Sequence, residues 1–464
     1  MKLDLKTKAD IRHVAVIDIG KTNAKVALVD LGTVTEIAVR KTPNRPAAGG
    51  LYPHHDVDAI WTFILASLEA LGRERKIDAV SVTTHGATAA LLDAGGRLAL
   101  PVLDYEHDGP ATVRQDYEAV RPAFSETGSP PLPLGLNLGA QLFWQSRAFP
   151  ERFAEVASVL MYPQYWAWRL CGVAANEVTS LGCHTDLWNP NAARFSSLVG
   201  RMGWQNLFAP VTPAAAALGP IRSDIPARTG LDPSTPVFCG IHDSNASLLP
   251  HLVSRRPPFA VVSTGTWVVA MAVGGAAVSL DPARDTLINV NAMGAPVPSA
   301  RFMGGREYDT LTAGGGGGWS AADLESVLGR QVMLMPSVQQ GSGPFPRSGS
   351  RWIGSEDPSA GECAVAAAFY LALMTATCLD LIGAEGGTIV EGPFARNALY
   401  ADMLRAATGR PVLPQPGQAG TSIGAALLAG KPAAAPMAMD EPPGRLDAAW
   451  TRYAAEWREL TRDL

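Results

Sequence analysis

"VAVIDIGKTNAKVALVD" runs from Val14 to Asp30. Two aliphatic runs, 14–19 and 24–29, flank a polar tip of Gly20, Lys21, Thr22 and Asn23. Apolar runs on either side of a glycine-bearing turn predict a β-hairpin. The first run ends on a carboxylate, Asp18, where a buried strand would otherwise carry another Val or Ile. Open backbone N–H groups and a Thr hydroxyl at such a tip suit phosphate oxygens, and glycine lets the backbone come close to them. Asp18 at the strand end suits Mg²⁺, which takes few carboxylates alongside phosphate oxygens. Lys25 adds a positive charge nearby. Taken alone, a tip of this kind is more often structural than functional.

A second copy changes those odds. "PFAVVSTGTWVVAMAV", Pro258 to Val273, again has an apolar run, a turn with Ser263, Thr264, Gly265 and Thr266, and an apolar run. Placing Ser263 opposite Asp18 sets the copies 245 residues apart (263 − 18). A period of about half the chain is too long for a solenoid and predicts two related domains, each opening on a hairpin. The expected domains are 1–245 and 246–464, with the boundary near 245–258, where Pro250, Pro257 and Pro258 interrupt the pattern. Two hydroxyl-glycine tips, one per domain, could grip the phosphates of one nucleotide across a cleft.

The bulk properties fit this reading. A chain of 464 residues is too long for one compact core. Hydrophobic residues make up 47% and charged residues 17%, as in ordinary globular proteins. Net charge is −5, and no dense Lys/Arg tract exists to neutralise a nucleic-acid backbone. The start, "MKLDLKTKAD", alternates charge and does not read as a signal peptide. No uninterrupted apolar stretch reaches membrane-spanning length. Five cysteines without a C-x-x-C pair predict a reduced, cytoplasmic chain in which they are small core residues. A homodimer is compatible with the sequence, which does not fix the oligomeric state.

Other segments supply candidate chemistry. A helix is expected over "DAIWTFILASLEALG", ending on Gly72, and a strand over 79–83. From 140 to 172 the pattern predicts helices broken at Pro150 and Pro163. "TTHGATAALLD" sets His85 and Gly86 just beyond a strand, although a lone His is more often structural than a ligand. In "GIHDSNAS", Asp243 follows a strand and opens a helix. An N-cap is the leading reading on spacing alone. The same position would keep the carboxylate ionised by the helix dipole, ready to accept a hydroxyl proton. "TIVEGPFARN" puts Gly392 and Asn397 after a strand, where glycine would let adenine lie against the backbone; a plain strand-to-helix turn is the commoner use. The Gly314–Gly318 run lacks the G-K-[ST] ending of a P-loop and reads as a flexible loop or lid. A long apolar helix, "ECAVAAAFYLALMTATCLDLIG", and a small-residue helix, "TSIGAALLAG", complete the second half.

In combination and order, these segments resemble the FGGY family of carbohydrate kinases, from about residue 12 to 435. "DIGKTNAK" resembles the first phosphate motif, "THG" the sugar element, "GIHDSNAS" the G-x-x-D segment, "STGTW" the second phosphate motif, and "EGPFARN" with "TSIGAALLAG" the adenosine motif and closing helix. The resemblance implies an α/β protein of two duplicated actin-like ATPase (ribonuclease H-like) domains with a central cleft. The first would bind sugar through His85, Gly86 and Asp243, and the second nucleotide. ATP would contact Gly20, Lys21, Thr22, Asn23, Lys25, Thr264, Gly265, Thr266, Gly392 and Asn397. Asp18 and Asp243 would hold Mg²⁺, and Asp243 would act as the base. Lys21, at a usually small or hydroxylic position, and Glu391, in place of a glycine, depart from the pattern. "STGTW" is similar to rhamnulose kinases and "GKTNAK" to fuculose kinases, which implies a ketose such as a 6-deoxy-ketohexose or ketopentose. The segments around 302–309 and "PSVQQGSGPFP" match no motif. An actin- or heat-shock-type conformational ATPase and a non-catalytic sugar sensor are the alternatives. Closure of the two domains on both ligands is expected, hinged near 245–258 and 420–430.

Overall fold

The computed structural model describes residues 11–312, 318–417, 420–430 and 448–464. Most of the Gly314–Gly318 run lies outside them. The described chain forms two compact units. The first comprises 11–254, 288–296 and 420–430, and the second 255–287, 297–312, 318–417 and 448–464.

In the first unit, the opening stretch forms the predicted hairpin, β1 (His13–Ile19) with β2 (Asn23–Asp30), extended by β3 (Thr35–Pro43). Helix α1 (Val57–Glu74) then leads to β4 (Ala79–Thr84), which pairs parallel with β1. The strand Pro236–Phe238 pairs parallel with β4 on its other side. The order is thus β3-β2-β1-β4 and then Pro236–Phe238, with two antiparallel and two parallel junctions. α1 runs two residues past Gly72, because Leu71 still supplies a carbonyl to the Arg75 N–H.

The second unit repeats that order. Pro296–Phe302, Val268–Val273 and Phe259–Thr264 run antiparallel in turn, followed by the parallel strands Gly387–Glu391 and Val412–Gln415. The register confirms the repeat. Asp18 lies between Lys25 and Thr83, and Ser263 lies between Val269 and Glu391. Each tip is closed from its glycine: Gly20 N–H donates to Asn23 at 2.9 Å, and Gly265 N–H to Trp267 at 3.0 Å.

Three local expectations differ. Ser158–Met161 is a strand between the Pro150–Ala154 and Tyr162–Cys171 helices, and Pro163 opens the latter rather than breaking a helix, as the donor-free first turn allows. Pro250 lies inside the Asp243–Ser254 helix instead of ending it. Proline there frees the Ala246 carbonyl, and the Gly420–Leu427 helix sets Gly424 directly against that carbonyl. This packing keeps the Asp243 helix and 420–430 in the first unit, so the division is not a single cut at 245.

The second unit's core is built on the Ala360–Leu381 helix, with Phe369 and Met374 fully buried beside Tyr453 and Trp457 of the Ala448–Leu460 helix. By length and composition the Ala360–Leu381 helix could cross a membrane; most of it is buried in this core. None of the five cysteines is in a disulfide. The unmatched segment near 302–309 also finds a role here. Gly304 and Gly305 let their helix close onto Val268 and the Gly265 carbonyl at the second hairpin. Glu307 accepts hydrogen bonds from the Gln339 N–H (2.9 Å) and the Tyr370 hydroxyl (3.2 Å), which ties in the Pro336–Pro346 stretch.

Candidate active site

β4 and the short strand Ile241–His242 run parallel, with His242 opposite Thr84. Both strands therefore end side by side, and each hands over to a polar element: His85–Gly86 after one, the Asp243–Ser254 helix after the other. Gly86 is the close-approach point. A Cβ there would meet His242 Nε2 at 2.9 Å, so only glycine admits the imidazole.

Asp243 is held from one side. Its Oδ1 accepts from the Ser244 N–H (2.6 Å) and the Ser244 hydroxyl (3.3 Å) and lies 3.1 Å from His242 Nε2. Asn245 Nδ2 lies 3.4 Å from His242 Nδ1. An amide nitrogen can only donate, so Nδ1 accepts and Nε2 carries the proton toward Asp243. Burial lowers His242 to about 4, which keeps that ring neutral. Oδ2 of Asp243 takes no hydrogen bond among the described residues. Asp243 is raised above the ordinary carboxylate range, chiefly by burial and against the pull of His85. A carboxylate raised in this way is a stronger base than one at its ordinary value.

His85 is buried; its Nδ1 lies 2.9 Å from the Gly86 carbonyl, and its Nε2 has no partner among the described residues. His55 packs against it at 5.2 Å between ring centroids, and neither of its ring nitrogens has a partner among the described residues. Tyr105 closes edge-on at 5.4 Å. Such unsatisfied nitrogens in a buried cluster are unusual in proteins.

The hairpin residues divide. Thr22 is exposed, and Asn23 Nδ2 donates to its hydroxyl at 3.1 Å. Lys25 pairs with Asp18 (3.3 Å) and Glu36 (3.0 Å). Burial raises Asp18 to about 6, helped by Asp243 and opposed by Lys25. Lys21, expected beside the other phosphate groups, pairs instead with Asp104 and, at 3.4 Å, with Glu106, and its ammonium lies 4.7 Å from the Tyr105 ring centre.

In the second unit, the Thr264 hydroxyl donates to the Glu391 carbonyl (2.5 Å) and accepts from the Phe394 N–H (3.1 Å). Those bonds join the hairpin to the strand after it. Gly392 has φ +83°, and any Cβ would run into the Thr264 carbonyl. Asn397 caps the Ala398–Thr408 helix by accepting from the Tyr400 N–H at 3.2 Å. Gly265 and Thr266 form the tip itself, and the Thr266 carbonyl accepts from the Gly305 N–H.

Asp18 and Asp243 interact electrostatically within the first unit. Two carboxylates of this kind suit Mg²⁺, which uses one or two alongside water and phosphate oxygens. No group of three or more His, Cys, Asp or Glu side chains suited to a metal occurs among the described residues.

Residues 13–250 match the N-terminal domain of the FGGY family of carbohydrate kinases, and residues 256–437 match a C-terminal domain of that family. The chain belongs to the FGGY family of carbohydrate kinases. A carbohydrate kinase from Novosphingobium aromaticivorans is 36% identical and superposes with a TM-score of 0.87, over 96% of this chain and 99% of that one. The xylulose kinase of Rhodospirillum rubrum, 21% identical over 97% of this chain and 98% of its own, shares the fold with a TM-score of 0.75. The L-fuculokinase of Salmonella typhi is 25% identical over 56% of this chain and 57% of its own. The rhamnulokinase of an Enterobacter species is 24% identical over 55% and 53%. The chain thus spans little more than half the length of the curated relatives it matches.

Sequence reading missed four members of this FGGY cluster: His55, Asp104, Tyr105 and His242. His242 stood beside Asp243 in the quoted motif, and "HHD" at 54–56 was a visible signal. Asp104 had none, because its partner is 83 positions away.

Proposed function

We propose that the chain transfers the terminal phosphoryl group of ATP to a hydroxyl of a small ketose, a 6-deoxy-ketohexose or ketopentose. The single observation that carries this reading is the state of Asp243, whose Oδ1 is fully engaged while Oδ2 takes no bond among the described residues. A sugar hydroxyl at Oδ2 would give up its proton there as its oxygen attacks the γ-phosphorus and ADP departs. Neutral His242 and the Ser244 N–H hold the carboxylate in place. His85, with Nε2 free to accept, and Gly86 would position the sugar.

Thr22 and the backbone around Gly20 and Asn23 would face ATP phosphates in the first unit. Gly265 and Thr266, with Gly392 and Asn397, would do so for the nucleotide in the second. Thr264 and Lys25 are read as supports of these tips, since their polar groups already bind protein atoms. Asp18 and Asp243 would hold Mg²⁺, which when bound offsets charge on the phosphates. Likeness to an L-fuculokinase and a rhamnulokinase supports the ketose class.

The test is ADP release by the purified chain with ATP and Mg²⁺, across a panel of ketoses and polyols. The expected result is release that depends on one or a few ketoses and yields a sugar phosphate. Release that no sugar stimulates would favour a conformational ATPase. Sugar binding without release would favour a sensor.

A further inference from the structure

Lys21 stands at a hairpin tip read as facing phosphates, yet its ammonium is turned to the acceptor side of the first unit. Three observations place it there. Its Nζ is paired with Asp104 and lies 3.4 Å from Glu106. It sits over the Tyr105 ring, whose other neighbour is the His85 ring. His85 and His55 both feel its charge, and His85 also feels that of Asp243.

The pairing is largely shielded. The Lys21 and Asp104 side chains are only 16% and 9% exposed, whereas Glu106 is 61% exposed. A shielded pair in fixed geometry keeps its partner far better than a surface one. Asp104 is itself oriented, since its Oδ1 also accepts from the Glu106 N–H at 3.1 Å.

We propose that Lys21 is a specificity determinant: clamped by Asp104 and Glu106, its ammonium is withheld from substrate carboxylates, so the site selects a neutral polyhydroxylated acceptor over a sugar acid. This rests on the kinase reading above and deepens it. Beside the ring nitrogens of His55 and His85 that have no partner among the described residues, Tyr105 feels three carboxylates, Asp243, Asp104 and Glu106, and one ammonium lies over its ring. A neutral sugar satisfies those nitrogens with hydroxyls. A sugar acid of the same length brings a fourth carboxylate, and the cation that would meet it is already taken.

The experiment measures binding by titration calorimetry and turnover by ADP release. Neutral ketoses are compared with aldonates of equal carbon number, in the wild type, Asp104→Asn, Glu106→Gln and Asp104→Asn with Lys21→Met. The wild type is expected to prefer the neutral class by a factor of about 10² or more. Asp104→Asn releases the ammonium and should move the aldonate-to-ketose ratio by about tenfold or more toward the acid. Adding Lys21→Met should abolish that gain. Glu106→Gln, at an exposed position, gives a smaller change in the same direction and serves if Asp104→Asn does not fold. A merely structural staple would weaken both classes equally, and an unchanged ratio in both single variants overturns the proposal. So does a wild type that prefers aldonates. Turnover of ketoses with an unchanged ratio sinks this inference and leaves the kinase reading standing. Ketose binding without turnover sinks the kinase reading, and the binding ratio still decides this one. Failure of both classes to bind sinks both.

Discussion

Gly86 lies against His242 so closely that a single added methyl would meet Nε2 at 2.9 Å. The turn after β4 and the helix that carries Asp243 are thus fitted through one missing side chain. Gly86→Ala should displace the imidazole and, with it, the carboxylate it holds. Misplacement of a reacting group by about 1 Å costs on the order of 10²-fold. Steady-state kinetics should show kcat falling by that order while the ATP KM stays near wild type. A variant with full kcat would mean that His242 does not position Asp243.

Asp243→Asn should leave folding and sugar binding nearly intact, since Ser244 and His242 can still meet an amide oxygen. It should lower kcat by about 10²-fold or more, the usual scale for losing a general base. Calorimetric sugar binding beside single-turnover rates separates the two effects, and wild-type turnover would remove Asp243 from the chemistry.

Ligand affinities should split by element. Thr22→Val and Thr266→Val each delete a hydroxyl at a hairpin tip and should weaken ATP more than sugar. His85→Ala removes a buried ring whose Nε2 has no partner among the described residues and should raise the sugar KM instead. Equal losses for both ligands in the hairpin variants would make the tips structural.

Glu177 predicts a pH dependence of stability. It is fully buried; its Oε2 accepts from the Thr179 N–H at 2.9 Å and from the Thr179 hydroxyl, whose oxygen accepts from the His242 N–H at 3.0 Å. Burial raises its carboxyl from 4.5 to about 8. A raised acid costs nothing below its unfolded value, where both states hold the proton. The folded state is progressively penalised as pH rises from about 4.5 through about 8. Glu177→Gln should flatten this fall: its stability relative to wild type should improve between pH 5 and pH 8 by a few kcal/mol, at about 1.4 kcal/mol per pKa unit. Chemical denaturation at a series of pH values measures the difference, and a constant difference would contradict the assignment.

Gly392→Ala should destabilise the second unit. The backbone there has φ +83° and ψ −161°, a region left almost entirely to glycine, and a Cβ would strike the Thr264 carbonyl. Strain alone is worth about 1–3 kcal/mol, and the clash adds to it. Thermal unfolding should show the loss even without nucleotide. An unchanged melting temperature would mean that the turn relaxes freely.

Much of the architecture was legible because hairpins and glycine turns are local. The 245-residue offset between Asp18 and Ser263 survives in the register of both sheets. Pro250 misled because a proline in an isolated helix is a breaker, whereas here Gly424 covers the carbonyl it frees. Ser158–Met161 misled because a four-residue run between helices carries no period of its own; pairing with Ala89–Leu92 makes it a strand.

The sequence by itself determined that two related hairpin domains exist, where each opens, and that Asp243 follows a strand and starts a helix. Those are matters of apolar period, turn residues and spacing along the chain. Only the tertiary structure decided which side chains meet: Lys21 with Asp104 across 83 positions, His242 with Thr179 across 63, and His242 with Gly86. The physical reason is that these encounters are set by the order in which strands and helices pack in the first unit, as where β4 and Ile241–His242 end side by side. That order is fixed by burial of whole sheets, and no local preference at Lys21 or Asp104 carries it.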